Sequence, residues 1–154
     1  MNITAAVTFA VVLGALLVAH NVADHWIQTD HQACTKGGSD WTGRLACLRH
    51  VATYTAATAG MVALLAVLHL AEVTPVGFVV GQLVSAVTHY WADRRTTLAK
   101  LAAALGHRSF YRRGAPRPGR DDNPTLGTGA YALDQSWHWL WLLVAALTTA
   151  LVGT

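Results

Sequence analysis

Apolar residues run in four long segments of the chain, residues 3–19, 51–71, 76–92 and 137–152, and none of these segments contains Asp, Glu, Lys or Arg. A bilayer core takes about twenty helical residues. The first three segments fit that length, and the fourth fits if it begins near Tyr131. The pattern predicts an all-α, polytopic membrane protein with four transmembrane helices in an up-down bundle. The predicted spans cover about residues 3–23, 50–72, 76–94 and 131–152 of a single integral membrane domain, 1–154.

Composition favours the membrane over a soluble helical bundle. Hydrophobic residues make up 53% of the chain and charged residues 12%, which is about half the usual charged share of a soluble domain. A soluble bundle needs polar outer faces, whereas these segments are apolar all round. The first segment is also unlike a signal peptide, because the start "MNIT" carries no positive charge. We therefore expect it to be retained as a transmembrane helix.

Positive charge is confined to two connections, which an up-down arrangement places on one side of the membrane. All eleven Lys and Arg residues lie within residues 23–50 and 94–130. Positively charged loops are retained in the cytoplasm. The distribution predicts a multi-pass cell-membrane protein with both termini outside and both long connections inside.

The second connection, which precedes the last span, is the more basic of the two. The sequence of residues 96–105 predicts a short amphipathic helix or an extension of the third span. Residues 106–130 are rich in glycine and proline, a composition typical of a loop. We expect its basic side chains to lie against anionic lipid headgroups. Nucleic-acid binding is not required to explain these charges, and the sequence does not indicate an oligomeric state.

Histidine and aspartate recur four residues apart at the predicted helix ends. A spacing of four places two side chains on one helix face. The pairs are His20/Asp24 ending the first span, His89/Asp93 ending the third and Asp134/His138 beginning the fourth, and His50 begins the second. The up-down arrangement would bring all seven to the cytoplasmic end of the bundle.

Histidine and carboxylate groups are common ligands of divalent zinc, iron and manganese. Helix bundles build such sites from residues on facing helices. Placing an ionisable group within a membrane span costs free energy, so such groups are candidates for a functional site. We expect these seven residues to bind one or two ions, with Gln28 and Gln135 orienting ligands. Asp93 and Asp134 are the candidates for a general base. The alternative is that the same groups cap helices or hydrogen-bond one another as structural packing.

At these positions the chain resembles a family of small bacterial and phage membrane proteins, the domain of unknown function 3307. The family pattern is H-xxx-D-xxx-Q ending the first span, a His opening the second, H-xxx-D ending the third and D-Q-xx-H opening the last. The matching residues are His20, Asp24, Gln28, His50, His89, Asp93, Asp134, Gln135 and His138. The resemblance covers nearly the whole chain apart from the basic connection 96–130. It implies a shared site but no particular reaction.

The function expected from these features is that of a metal-dependent membrane hydrolase acting on a lipid or lipid-linked substrate. The ion would lower the pKa of bound water, and a carboxylate would accept its proton. Two alternatives remain open at this point. One is transport of metal ions or protons, for which only Gln82, His69 and Glu72 would continue a polar path. The other is a non-enzymatic membrane protein with a structural His/Asp network.

Overall fold

The computed structural model describes residues 3–117, 119 and 127–153, and these residues form helices and connections without a strand. The all-α prediction is therefore confirmed. In chain order the elements are α1 (Ile3–Val22), a π-helical turn (Ala23–Ile27), α2 (Asp30–Thr35), α3 (Trp41–Val67), α4 (Pro75–Asp93), α5 (Thr96–Ala104), α6 (Arg108–Tyr111) and α7 (Gly129–Leu151).

The starts of the long helices are fixed by side-chain caps, which satisfy backbone N–H groups that have no partner within the helix. Asp40 accepts a hydrogen bond from the Gly43 N–H at 2.9 Å and so starts α3. Thr74 caps α4, where Pro75 occupies the first turn, and Thr128 caps α7. Because α3 begins at Trp41 rather than near residue 50, His50 lies about two and a half turns inside the helix.

Four helices pack as a bundle in which neighbours run in opposite directions. Helix α1 contacts α3 and α7, and α4 contacts the same two helices. At one end, Thr8 Oγ1 accepts from the Glu72 N–H at 3.1 Å, and Thr74 Oγ1 donates to the Val152 carbonyl at 2.7 Å. The opposite end therefore gathers the ends of α1 and α4 with the starting regions of α3 and α7.

An apolar cluster fills part of the bundle interior, beside a few buried polar side chains such as Thr58 and Gln82. The buried members of the cluster are Val12, Leu16, Val62, Ala71, Leu142, Ala145 and Ala146. Helices α4 and α7 approach closely where glycines leave space. A Cβ at Gly77 would lie 2.6 Å from the Thr149 carbonyl oxygen, and one at Gly81 would lie 3.0 Å from the Ala145 carbonyl oxygen. The "GFVVG" segment therefore works as a small-residue contact surface between helices.

By length and composition, two stretches of helix could cross a membrane, Ile3–Ile27 and Trp41–Val67. Helices α4 and α7 fall outside that criterion, so it does not establish the predicted four-span arrangement. Both helices carry strongly polar residues that lower their hydropathy, among them Gln82 and His89 on α4 and Asp134, Gln135 and His138 on α7.

The connection between α4 and α7 contains two short helices rather than loop alone. Helix α5 corresponds to the amphipathic segment expected at 96–105, and its Leu98 and Ala102 are buried. Arg95, which precedes α5, has a φ of 54° and separates this helix from α4. Arg120 of the predicted basic connection lies outside the described residues, as do 118 and 121–126.

Candidate metal centre

The seven His and Asp residues singled out from the sequence lie together at one end of the bundle. The four histidines, His20, His50, His89 and His138, are each at most 3% exposed, and so is Asp93. The Asp24 side chain is 9% exposed and that of Asp134 is 29% exposed. Ionisable groups this deeply buried require compensating partners. The structure therefore brings the residues together, while their role as ligands stays a prediction.

One set of three ligand atoms has distances suited to a single ion. Asp24 Oδ1 lies 3.3 Å from His50 Nε2 and 3.5 Å from His89 Nε2, and the two nitrogens are 3.0 Å apart. Ligand atoms bound tetrahedrally at about 2.0 Å are separated by roughly 3.3 Å. The three atoms thus lie at the spacing of one face of a tetrahedral metal site.

Asp93 faces this set from a second direction. Its Oδ2 lies 3.2 Å from both His50 Nε2 and His89 Nε2, and its Oδ1 lies 3.9 Å from His138 Nε2. Lys36 Nζ donates to the same Oδ2 at 2.9 Å. The carboxylate therefore contacts groups from the first connection, α3, α4 and α7. Asp93 is the residue that joins the two sides of the cluster.

Helix α7 supplies the third part of the cluster. His138 Nε2 lies 3.6 Å from Asp134 Oδ1, one turn earlier on the same helix. Gln135 Oε1 lies 3.2 Å from His20 Nε2, while His20 Nδ1 lies 3.6 Å from Asp24 Oδ2. Gln135 and His20 thus connect α7 to α1, which agrees with an orienting role for Gln135.

The end of α1 is modified by the π-helical turn that contains Asp24. Such turns are rare and are often found at functional sites. Gln28 follows the turn with an extended backbone, φ −60° and ψ 131°, so it does not continue a helical stripe. With its amide oxygen turned toward them, Gln28 accepts hydrogen bonds from His50 Nδ1 at 3.2 Å and Lys36 Nζ at 2.7 Å. Its side chain still reaches the cluster, although by a different route from the one the spacing predicted.

Sequence reasoning missed Lys36, which it counted only among the charges that determine topology. The side chain is 9% exposed. Two consecutive arginines hold this part of the connection: Arg94 Nη1 donates to the Lys36 carbonyl at 2.6 Å and Nη2 donates to the Gly38 carbonyl, and Arg95 Nη2 donates to the Ala33 carbonyl at 2.8 Å. No local pattern marks a single lysine in a polar connection as buried.

A cleft of about 570 Å³ opens beside the cluster. Its walls include Asp24, Asp93 and Asp134 together with the cationic Lys36 and Arg95. Other lining residues are His25, Gln28, Leu98, Tyr111, Thr128, Ala130, Tyr131 and Gln135. Burial, helped by the neighbouring Asp134 carboxylate, raises the pKa of the Tyr111 phenol, which therefore stays a neutral hydrogen-bond donor. The cleft therefore connects the carboxylates of the cluster with the protein surface.

The residues present fit a divalent ion on two grounds. First, three groups each place one ligand atom per residue within 4.8 Å of the others: His20/His89/His138, Asp24/His50/His89 and Asp93/Asp134/His138. Second, Asp24 Oδ1 and His138 Nε2 are buried and receive no hydrogen bond from the described residues, although each has ion-pair contacts at 3.3–3.9 Å. Buried polar atoms without a hydrogen bond are costly. A bound ion would give them a closer partner.

The fold and the site define an all-helical protein with a buried His/Asp cluster that could hold a metal ion. The chain matches, over residues 12–154, the model of the family described as "Protein of unknown function (DUF3307)". It belongs to this family, and the resemblance identified from the site residues is confirmed. No curated protein and no solved structure shows significant similarity to the chain.

Proposed function

We propose that this protein is a four-span membrane protein whose His/Asp cluster binds a divalent metal and hydrolyses a lipid or lipid-linked ester. The observation that carries the proposal is the spacing of Asp24 Oδ1, His50 Nε2 and His89 Nε2, which lie 3.0–3.5 Å from one another. Zinc, iron and manganese all accept this mixture of nitrogen and oxygen ligands.

The outer surface supports membrane insertion of α4 and α7 as well as of the two more apolar helices. On α4, Val76, Val79, Leu83 and Val87 are each more than half exposed and follow helical spacing. On α7, an outward face is formed by Leu140, Leu143 and Leu147. Contiguous apolar surfaces of this kind are rare on soluble monomers. Lipid is the environment that fits them.

The orientation follows from the charges at the two ends. Both connections with Lys and Arg residues join helices at the cluster end, and positive charge favours the cytoplasmic side. Exposed Trp26 and Trp41 lie at the same end, where an interfacial aromatic belt is expected. We infer that both termini are outside, that the cluster faces the cytoplasm, and that the basic residues of the second connection contact anionic headgroups.

The cleft favours Asp134 over Asp93 as the general base. Asp93 is almost fully buried, and its Oδ2 contacts Lys36 and two imidazoles. Asp134, in contrast, lines the cleft and is partly exposed. A divalent ion held here would supply a water of lowered pKa. Asp134 would accept one proton from that water, and the water oxygen would attack the carbonyl carbon or phosphorus as the ester bond to the alcohol oxygen breaks. Asp134 would then return the proton to the departing alcohol. Arg95 is placed to attract an anionic headgroup.

Transport is less well supported than hydrolysis. Polar pairs lead away from the cluster, with Tyr54 OH 2.9 Å from Ser85 Oγ and Thr58 Oγ1 donating to Gln82 Oε1 at 2.8 Å. Beyond Gln82, the buried polar side chains of the described residues are the neutral hydroxyls of Thr8 and Thr149, beside the apolar cluster. Moving a charged group through this region would have a high free-energy cost.

The catalytic proposal is tested with protein purified in detergent without chelators. Wild-type protein should contain stoichiometric zinc, iron or manganese. Added to vesicles of phosphatidylethanolamine and phosphatidylglycerol, it should release lipid products measurable by mass spectrometry. His89→Gln should lose both properties, whereas His107→Gln, which changes an exposed histidine outside the cluster, should keep them. Wild type without bound metal would refute the proposal in favour of a structural network.

The orientation is tested separately with reporters at the carboxyl end. An alkaline phosphatase fusion should be active, and a green fluorescent protein fusion should be dark, because that end is exported. The reverse pattern would contradict the four-span topology.

A further inference from the structure

The cluster contains two sets of ligand atoms that share no residue. The first is Asp24, His50 and His89, and the second is Asp93, Asp134 and His138. Each set holds its atoms within 4.8 Å, and each combines carboxylate with imidazole. A single ion would occupy one set and leave the other, with its two carboxylates or its two imidazoles, without a cation among its ligand atoms.

The two sets meet at Asp93, whose two oxygens face different imidazoles. Its Oδ2 lies 3.2 Å from both His50 Nε2 and His89 Nε2 of the first set, and its Oδ1 lies 3.9 Å from His138 Nε2 of the second. A carboxylate that presents one oxygen to each side has the geometry of a bridge between two ions. In two-metal hydrolytic sites the ions lie about 3.5–4 Å apart, a separation that one carboxylate spans.

One buried atom on each side lacks a hydrogen bond from the described residues. His138 is 3% exposed, and its Nε2 has only the longer contacts of 3.6 Å to Asp134 and 3.9 Å to Asp93 among these residues. Asp24 Oδ1 of the first set likewise has ion-pair contacts with His50 and His89 at 3.3 and 3.5 Å but no hydrogen bond. Each set therefore contains an atom to which a cation of its own would give a closer partner.

We propose that the cluster is a dinuclear metal site in which Asp24, His50 and His89 bind one ion, Asp134 and His138 bind the other, and Asp93 bridges the two. This inference rests on the proposed metal-binding function and specifies its form. Lys36 Nζ contacts the bridging carboxylate at Oδ2, where its positive charge opposes that of the bound ions. His20 holds Asp24 through Oδ2. Asp134 binds through Oδ1 and keeps Oδ2 for the proton of the attacking water; among the described residues, Gln135 Nε2 donates to this oxygen at 3.4 Å.

Metal content and magnetic coupling test this proposal directly. Metal-free, detergent-purified protein titrated with Mn²⁺ should bind two ions per chain, and its electron paramagnetic resonance spectrum should show two exchange-coupled ions. Asp134→Asn should reduce the content from two ions to one and remove the coupling. Asp30→Asn, which changes an exposed carboxylate in α2, should leave both unchanged.

The outcomes separate this inference from the proposed function. One uncoupled Mn²⁺ per wild-type chain would overturn the dinuclear site and leave a mononuclear hydrolase. No bound Mn²⁺, zinc or iron would overturn both. Circular dichroism and thermal unfolding establish that each variant is folded, and the wild-type stoichiometry decides the question even if a variant is not.

Discussion

Replacing Lys36 with methionine should strengthen metal binding while weakening the metal-free protein. Lys36 Nζ lies 2.9 Å from Asp93 Oδ2 and both side chains are buried. Removing one partner of a buried ion pair costs about 3–5 kcal/mol, because the other charge is left uncompensated. For a chain of this size, about 3 kcal/mol corresponds to a fall of roughly 6–12 °C in Tm. Methionine keeps most of the volume of the lysine stem, so the lost charge dominates the effect.

A bound cation takes over the compensation of Asp93 and no longer meets the positive charge of Lys36. If only a third of the cost returns as binding energy, the affinity rises about tenfold, since tenfold corresponds to about 1.4 kcal/mol. We therefore expect Lys36→Met to bind Zn²⁺ or Mn²⁺ at least tenfold more tightly, measured by competition with a chromophoric chelator. Saturating metal should restore most of the lost Tm.

The matched control is Lys100→Met, which makes the same substitution at the chain's other lysine, an exposed residue of α5. It should change neither quantity. An affinity for Lys36→Met equal to or weaker than that of wild type would refute the placement of the ion beside Asp93.

Three further predictions follow from the same contacts. Metal affinity should fall as the pH is lowered from about 7.5 to about 5.5, because imidazoles and carboxylates must be deprotonated to bind. Equilibrium dialysis at each pH measures the affinity, and an affinity that does not change with pH would argue against histidine ligands. Gly81→Ala should destabilise the protein by about 1–3 kcal/mol through overpacking against Ala145 and Thr149, whereas Gly60→Ala, with open space around it, should be neutral or slightly stabilising in thermal unfolding. Arg94→Ala should increase amide hydrogen exchange in residues 33–38, because it removes two hydrogen bonds to that segment. The control Arg108→Ala on α6 should leave this exchange unchanged. Equal exchange in both variants would show that other contacts hold the segment.

The sequence could predict that the cluster residues converge, because it shows both the four-residue spacing of the His/Asp pairs and their positions at the ends of the apolar segments. Pairs four residues apart share a helix face, and pairs at successive helix ends meet when the helices alternate in direction. With α1, α3, α4 and α7 alternating in direction, His20, His89 and His138 could meet only at one end of the bundle. The resemblance to the family used these same residues.

The supporting contacts could not be predicted in the same way. Lys36 reaches Asp93 only because Arg94 and Arg95 fix the backbone of the connection, and such contacts between distant segments leave no periodic signal. The π-helical turn likewise changes the path of the chain between Asp24 and Gln28 without a marker residue such as proline. Helix α3 starts earlier than its apolar segment because Asp40 caps it, and the capped first turns are too polar to appear in a hydropathy pattern.

X-ray absorption at the metal edge of zinc-loaded protein reads the ligands of the bound ion. We expect only nitrogen and oxygen ligands at about 2.0–2.2 Å, with scattering from at least two imidazole rings. His50→Gln should reduce the imidazole contribution, and His107→Gln should leave the spectrum unchanged. Sulfur ligands at about 2.3 Å, which Cys34 and Cys47 of the first connection would provide, or a spectrum without imidazole scattering, would contradict a metal centre built from the His/Asp cluster.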